Sequence, residues 1–132
     1  MLAVSSEKVV AWELVNKSAN KEKLCAFLEE KLIPAMRQSE HVLLDNCRTH
    51  HAKVVKKLWE EDSQMSPFIF NPPYNPDSNP VEMVFAVVKR YLRKLRPSTK
   101  EDMELAIGEC IRTQLSSSKL ANIFRHALKK NV

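Results

Sequence analysis

Glycine is almost missing from this chain, with Gly108 the one glycine in 132 residues. Walker loops and dinucleotide-binding turns need several glycines so that backbone N–H groups can close on a phosphate. Nucleotide chemistry of those classes is therefore excluded. Cysteine is scarce too. Cys25, Cys47 and Cys110 are odd in number and far apart, which argues against a disulfide framework and for reduced thiols in an intracellular protein. Apolar runs such as Val9 to Trp12 fall far short of the roughly 20 residues of a membrane-spanning helix, and no signal-peptide pattern follows Met1. No motif for a serine or cysteine nucleophile is present. Aspartate is missing from the beginning of the chain, since none precedes Asp45.

The composition, 44% hydrophobic and 28% charged, is that of a globular chain long enough for one core and too short for two. The formal net charge of +5 is unevenly spread: residues 1–85 hold 10 Lys/Arg against 12 Asp/Glu, and residues 86–132 hold 11 against 4. A basic excess confined to one end is either a solvated helical face or a surface for a polyanion, most often nucleic acid.

The hydrophobic period changes along the chain. "KVVAWELV", Lys8 to Val15, is β-branched and aromatic and predicts a strand, with "LAVSS" a shorter one before it. Leu24, Phe27, Leu28 and Leu32 then share one helical face, with Asn20 as the cap and Pro34 as the stop. "HVLLD", His41 to Asp45, predicts a strand buried on both faces. A helix presenting Val54, Val55, Leu58 and Trp59 to the sheet follows, then a short strand in "SPFIFN". Beyond Asn79 the pattern is helical throughout. Val81, Val84, Phe85, Val88, Leu92 and Leu95 share a face before Pro97; a second helix opens at Ser98 and Glu101 with capping-box spacing; a third buries Leu120, Ile123, Phe124, Ala127 and Leu128. The fold class is α/β at the start with a C-terminal helical extension over about 98–132, all within one domain spanning 1–132.

Two acidic residues stand at special places. Asp45 follows a predicted strand, where α/β sheets present functional side chains, although an Asp-Asn pair also serves as a turn former. Glu82 sits three residues after Asn79, with Pro80 between, so a capping role at the helix dipole accounts for it equally well. Capping does not account for the approach. Pro72, Pro73, Pro76 and Pro80 each fix φ near −65° and restrict the residue before them, so the backbone ahead of Glu82 has little freedom. At 100° per residue Lys89, Arg93 and Arg96 lie within about 40° of Glu82, with Arg90 and Lys94 beside them.

"LLDNCRTHH" followed by "NPPYNPDSNPVEMVFAVVK" resembles the Asp-Asn strand end and the "PPYSPDLNPIE" signature of mariner-like DDE-superfamily transposases. The resemblance covers most of the chain. It implies an RNase H-like mixed sheet and DNA cleavage and joining with Mg²⁺ or Mn²⁺ held by three carboxylates, of which Asp45 and Glu82 match the second and third. It also implies that Asn46, His50 and His51 lie near the metal pocket or phosphate. Asn71, Asn75, Ser78 and Phe85 depart mildly from the family pattern. The serious departure is the first aspartate, which the family carries on its first strand.

In an RNase H-like sheet that first strand is central, between the second strand and the one ending at Asp45. Without it two strand edges face a gap, and either the neighbours close up or another chain, a second copy or a partner, fills in. The expectation is a transposase-derived fragment that acts on DNA with a weakly held metal and is incompetent alone, located in the nucleus if the source is eukaryotic. The alternative is a non-catalytic module that binds nucleic acid or protein through Lys89, Arg90, Arg93, Lys94 and Arg96. Cys47, His50 and His51 lack the second ligand pair of a zinc finger, which argues against zinc.

Overall fold

The computed structural model describes residues 1–129 apart from 17, 38, 46 and 72–78. The prolines Pro72, Pro73 and Pro76 and the possible pocket residue Asn46 lie outside the described residues. The chain forms two compact units, one of Met1–Ala3 with Val10–Pro76 and one of Val4–Val9 with Asp77–Val132.

One short strand pair, most of a second and two helices make the first unit. β1 (Leu2–Val4) pairs with β2 (Val9–Trp12), and Met1 and Glu13 exchange both main-chain hydrogen bonds at 2.7 and 2.9 Å, as antiparallel neighbours do. α1 (Lys21–Phe27) opens where the Asn20 side chain accepts from the Lys23 N–H at 2.8 Å. It continues through a π-helical turn, Leu28–Leu32, and ends beyond Pro34, where Met36 is extended. β3 (Leu43–Leu44) and β4 (Ile69–Phe70) pair in parallel, Leu43 opposite Ile69 and Leu44 opposite Phe70. The connection between them carries α2 (Lys53–Lys56), which runs on as a π-helical turn to Asp62. This is a strand–helix–strand crossover, the connection a parallel pair requires.

The core of this unit is Phe27, Leu28, Leu32, Val55, Trp59 and Met65, with Met1, Val10, Val42 and Phe68 packed against it. Val55 and Trp59 are fully buried; each such side chain contributes about 1.5–3 kcal/mol relative to exposure. The Trp59 indole N–H donates to the Ser66 carbonyl at 2.7 Å, so its one polar atom is satisfied. Val54, expected to face the sheet, is 48% exposed, because Ala52, Val55 and Trp59 at i, i+3 and i+7 occupy the inward face.

The expected burial of "HVLLD" on both faces does not occur. Leu43, Ile69 and Phe70 are exposed, and consecutive residues Ile69 and Phe70 point to opposite faces of a strand, so neither face of this two-stranded pair is fully covered. No ladder joins the β1–β2 pair to the β3–β4 pair among the described residues.

Three helices form most of the second unit. α3 (Pro80–Leu95) begins at Asn79, which is buried and whose side chain accepts from the Val81 N–H at 3.2 Å. It buries Val84 and Val88, while Leu95 at its end is exposed. Arg96 closes it in the left-handed region, φ 49°, donating its N–H to the Leu92 carbonyl at 2.8 Å; Pro97 then prevents continuation. α4 (Lys100–Gln114) starts one residue later than the Ser98–Glu101 spacing predicts. Pro97 and Ser98 carry the chain out of α3, and Thr99 is the cap, its hydroxyl accepting from the Asp102 N–H at 3.0 Å. α5 (Ser117–Lys129) buries Leu120, Ile123 and Ala127. Among the described residues no helix is long and apolar enough to cross a membrane.

Gly108 lies inside α4, and a Cβ added there meets nothing within 4 Å. Glycine in a helix interior costs roughly 0.5–1 kcal/mol relative to alanine. Gly108→Ala is therefore expected to raise unfolding stability by about that amount, read as a higher denaturant midpoint with an unchanged slope.

Candidate functional site

The first unit places Asp45 directly after β3, at the carboxyl end of a parallel strand. This is the edge at which open α/β sheets offer ligand-binding side chains. A 3₁₀ turn, Arg48–His51, follows, with the His50 N–H donating to the Cys47 carbonyl at 3.2 Å. That turn folds His50 back onto Asp45. The imidazole Nδ1 lies 2.7 Å from Asp45 Oδ1 and 3.0 Å from the Asp45 carbonyl oxygen. With two acceptors facing it, Nδ1 carries the proton. The Asp45 side chain remains 52% exposed and that of His50 20%, so the carboxylate is reachable from solvent.

Cys47 completes a group with them. One donor atom each from Asp45, Cys47 and His50 lie within 4.8 Å of one another. Sequence reasoning counted cysteines and histidines and missed this group; the signal was the spacing D-x-C-x-x-H, with three residues per 3₁₀ turn stacking positions 47 and 50. The three thiols differ in setting. Burial pushes the Cys25 thiol up, with Glu22 and Glu29 adding to it, and burial pushes Cys110 up against the opposing charge of Arg90. Cys47 is exposed.

His51 stacks on Phe70, ring centroids 4.1 Å apart at 20°. Phe70 meets Phe68 edge-on at 6.2 Å, and Phe68 stacks on the buried Trp59 at 4.5 Å. An aromatic chain thus ties the 3₁₀ turn to the core.

The second unit presents Glu82 in the first turn of α3, exposed, where the helix dipole favours a carboxylate. Its N–H donates to the Asn79 carbonyl at 3.1 Å. Lys89, Arg90, Arg93 and Lys94 are exposed along α3, as is Arg96 beyond its end. None makes an ion pair with an acid among the described residues. They do not form one stripe. Lys89 and Arg93 share a face, with Arg93 Nε donating to the Lys89 carbonyl at 3.4 Å; Arg90 and Lys94 flank Tyr91 in a shallow notch with Val87 and Gln114. Arg96, in the left-handed conformation, has left the helical phase that aligned it with Glu82. The Tyr91 hydroxyl faces Thr113 and Glu109, and desolvation followed by the Glu109 charge raises its pKa.

Oxygen donors suit a hard divalent ion, and the exposed carboxylates of Asp45 and Glu82 fit that requirement. The family model described as DDE superfamily endonuclease matches residues 1–104, from β1 into α4. None of the curated proteins compared matches the chain.

Proposed function

The chain belongs to the DDE superfamily endonucleases, and from that premise we propose that it is a transposase-derived, mariner-like nuclease domain of RNase H-like topology, acting on DNA phosphodiesters. Asp45 and Glu82 are its metal-holding carboxylates. The observation that carries this reading is Asp45 at the carboxyl end of β3, its carboxylate solvent-accessible and steadied by His50. Bound Mg²⁺ or Mn²⁺ supplies Lewis acidity toward the phosphodiester and its attacking oxygen. The chain's own residues do the rest. Asp45 and Glu82 give oxygen ligands, the His50 imidazole fixes the Asp45 rotamer, and Lys89, Arg90, Arg93, Lys94 and Arg96 hold the DNA backbone through charge.

The residue inventory limits what this chain does by itself. Two-metal chemistry in this family uses three carboxylates, and no aspartate precedes Asp45 in these 132 residues. The purified chain with Mn²⁺ and end-cut duplex is therefore expected to show no strand transfer above background. Cleavage that disappears in both Asp45→Asn and Glu82→Gln would show that some other group supplies the third ligand. The unpaired cations of α3 also support a second reading, a non-catalytic DNA-binding module, in which DNA binding persists unchanged in both of those variants and divalent metal has no effect on it.

A further inference from the structure

We infer that Asp45, Cys47 and His50 form a site for Zn²⁺ or a similarly borderline-soft divalent ion, distinct in chemistry from the hard-ion role of Asp45. Thiolate, imidazole and carboxylate are the three ligand types that Zn²⁺ takes, whereas Mg²⁺ takes oxygen almost alone. Three protein ligands with a fourth position left for solvent is the arrangement of an open zinc site.

The local backbone makes the set convergent. All three residues come from one six-residue segment, and the 3₁₀ turn superposes positions 47 and 50. Stacking of His51 on Phe70 anchors that turn, so the ligands are gathered before a metal arrives. The distances suit it as well. Tetrahedral Zn²⁺ needs ligand atoms about 3.3–3.8 Å apart, and the three donors lie within 4.8 Å of one another. The Asp45 Oδ1 to His50 Nδ1 contact at 2.7 Å opens by roughly half an ångström as the cation replaces the shared proton. The thiol proton passes to solvent, and the imidazole takes the tautomer with its proton on Nε2, which frees Nδ1 for the metal. Zn²⁺ held here occupies Asp45 and so competes with Mg²⁺ or Mn²⁺ for it.

Cobalt titration of the full reduced chain tests the site without reference to catalysis. Co²⁺ is expected to give a thiolate-to-metal charge-transfer band and the intense visible bands of tetrahedral coordination, and Zn²⁺ to displace both. Cys47→Ser abolishes the charge-transfer band, and His50→Ala weakens binding at least 10- to 100-fold, the loss typical even of an outer-shell partner. Circular dichroism checks that both variants remain folded. Cys25→Ser leaves the spectrum unchanged, and the readout involves no catalysis, so failure of the proposed nuclease function would not touch this result. Alkylation of Cys47 by iodoacetamide, mapped by mass spectrometry, is slowed by Zn²⁺ at one equivalent. A spectrum without the thiolate band, a band that survives Cys47→Ser, or alkylation indifferent to Zn²⁺ overturns the inference.

Discussion

Reversing the charge of Lys89, Arg90, Arg93 and Lys94 to glutamate is expected to abolish binding to duplex DNA. The four side chains are exposed and none is neutralised by an acid among the described residues, so their field reaches an incoming polyanion intact. If each neutralises one phosphate, the logarithm of affinity falls with the logarithm of salt at a slope near −3.6, and affinity drops about 150-fold between 50 and 200 mM salt. Fluorescence anisotropy on two unrelated duplexes measures both quantities. Similar affinity for the two duplexes and the steep slope support phosphate contact. Binding that ignores salt, or survives the fourfold reversal, makes this surface a protein interface instead. The notch pair Arg90 and Lys94 flanks Tyr91 and the other pair, Lys89 and Arg93, does not. Reversing each pair separately therefore tells which side of α3 meets the backbone.

An N-terminal extension carrying a β-strand with an aspartate is expected to change both stability and metal affinity. β1–β2 and β3–β4 are separate two-stranded sheets among the described residues. Isolated two-stranded pairs are marginal, and each leaves edges that a further strand can use. A strand that pairs with both converts two short ladders into one and satisfies edge N–H and C=O groups that the short pairs leave open. Its carboxylate adds an oxygen ligand near Asp45. Thermal midpoint and Mn²⁺ affinity are expected to rise together, and Asp45→Asn is expected to remove the gain in affinity while leaving the gain in stability. A rise in stability alone means that the strand pairs in the wrong register, because a shift of one residue sends the aspartate to the opposite face.

The parts of the fold legible in the sequence were those with local causes. Asn20 caps α1, Pro34 and Pro97 end their helices, and the buried faces of α1 and α5 follow the 3.6-residue period through Phe27, Leu28, Leu32, Leu120 and Ile123. The succession of strand, helix and strand from "HVLLD" to "SPFIFN" was legible too, whereas the pairing of β3 with β4 was not. What failed depended on partners that a single segment does not specify. Leu43 reads as a core strand residue but is exposed, because its burial would need a layer on the second face. Arg96 fits the helical stripe in sequence and leaves it because it closes α3 in the left-handed conformation, a position usually held by glycine. Asp45 was recognised by its place after a strand. Its contact with His50, and the nearness of Cys47, required knowing that the intervening residues form a 3₁₀ turn, which no hydrophobic period announces.

Mn²⁺-induced relaxation of backbone amide signals tests most directly whether Asp45 and Glu82 serve one metal. Isotope-labelled chain is titrated with substoichiometric Mn²⁺, and broadening is read at residues flanking position 45 and at the first turn of α3. The expected result is selective broadening at both places from the first additions, removed at both by either Asp45→Asn or Glu82→Gln. Broadening around Asp45 that persists in Glu82→Gln, with none at α3, would contradict the shared metal role and leave Glu82 as a helix-capping residue alone.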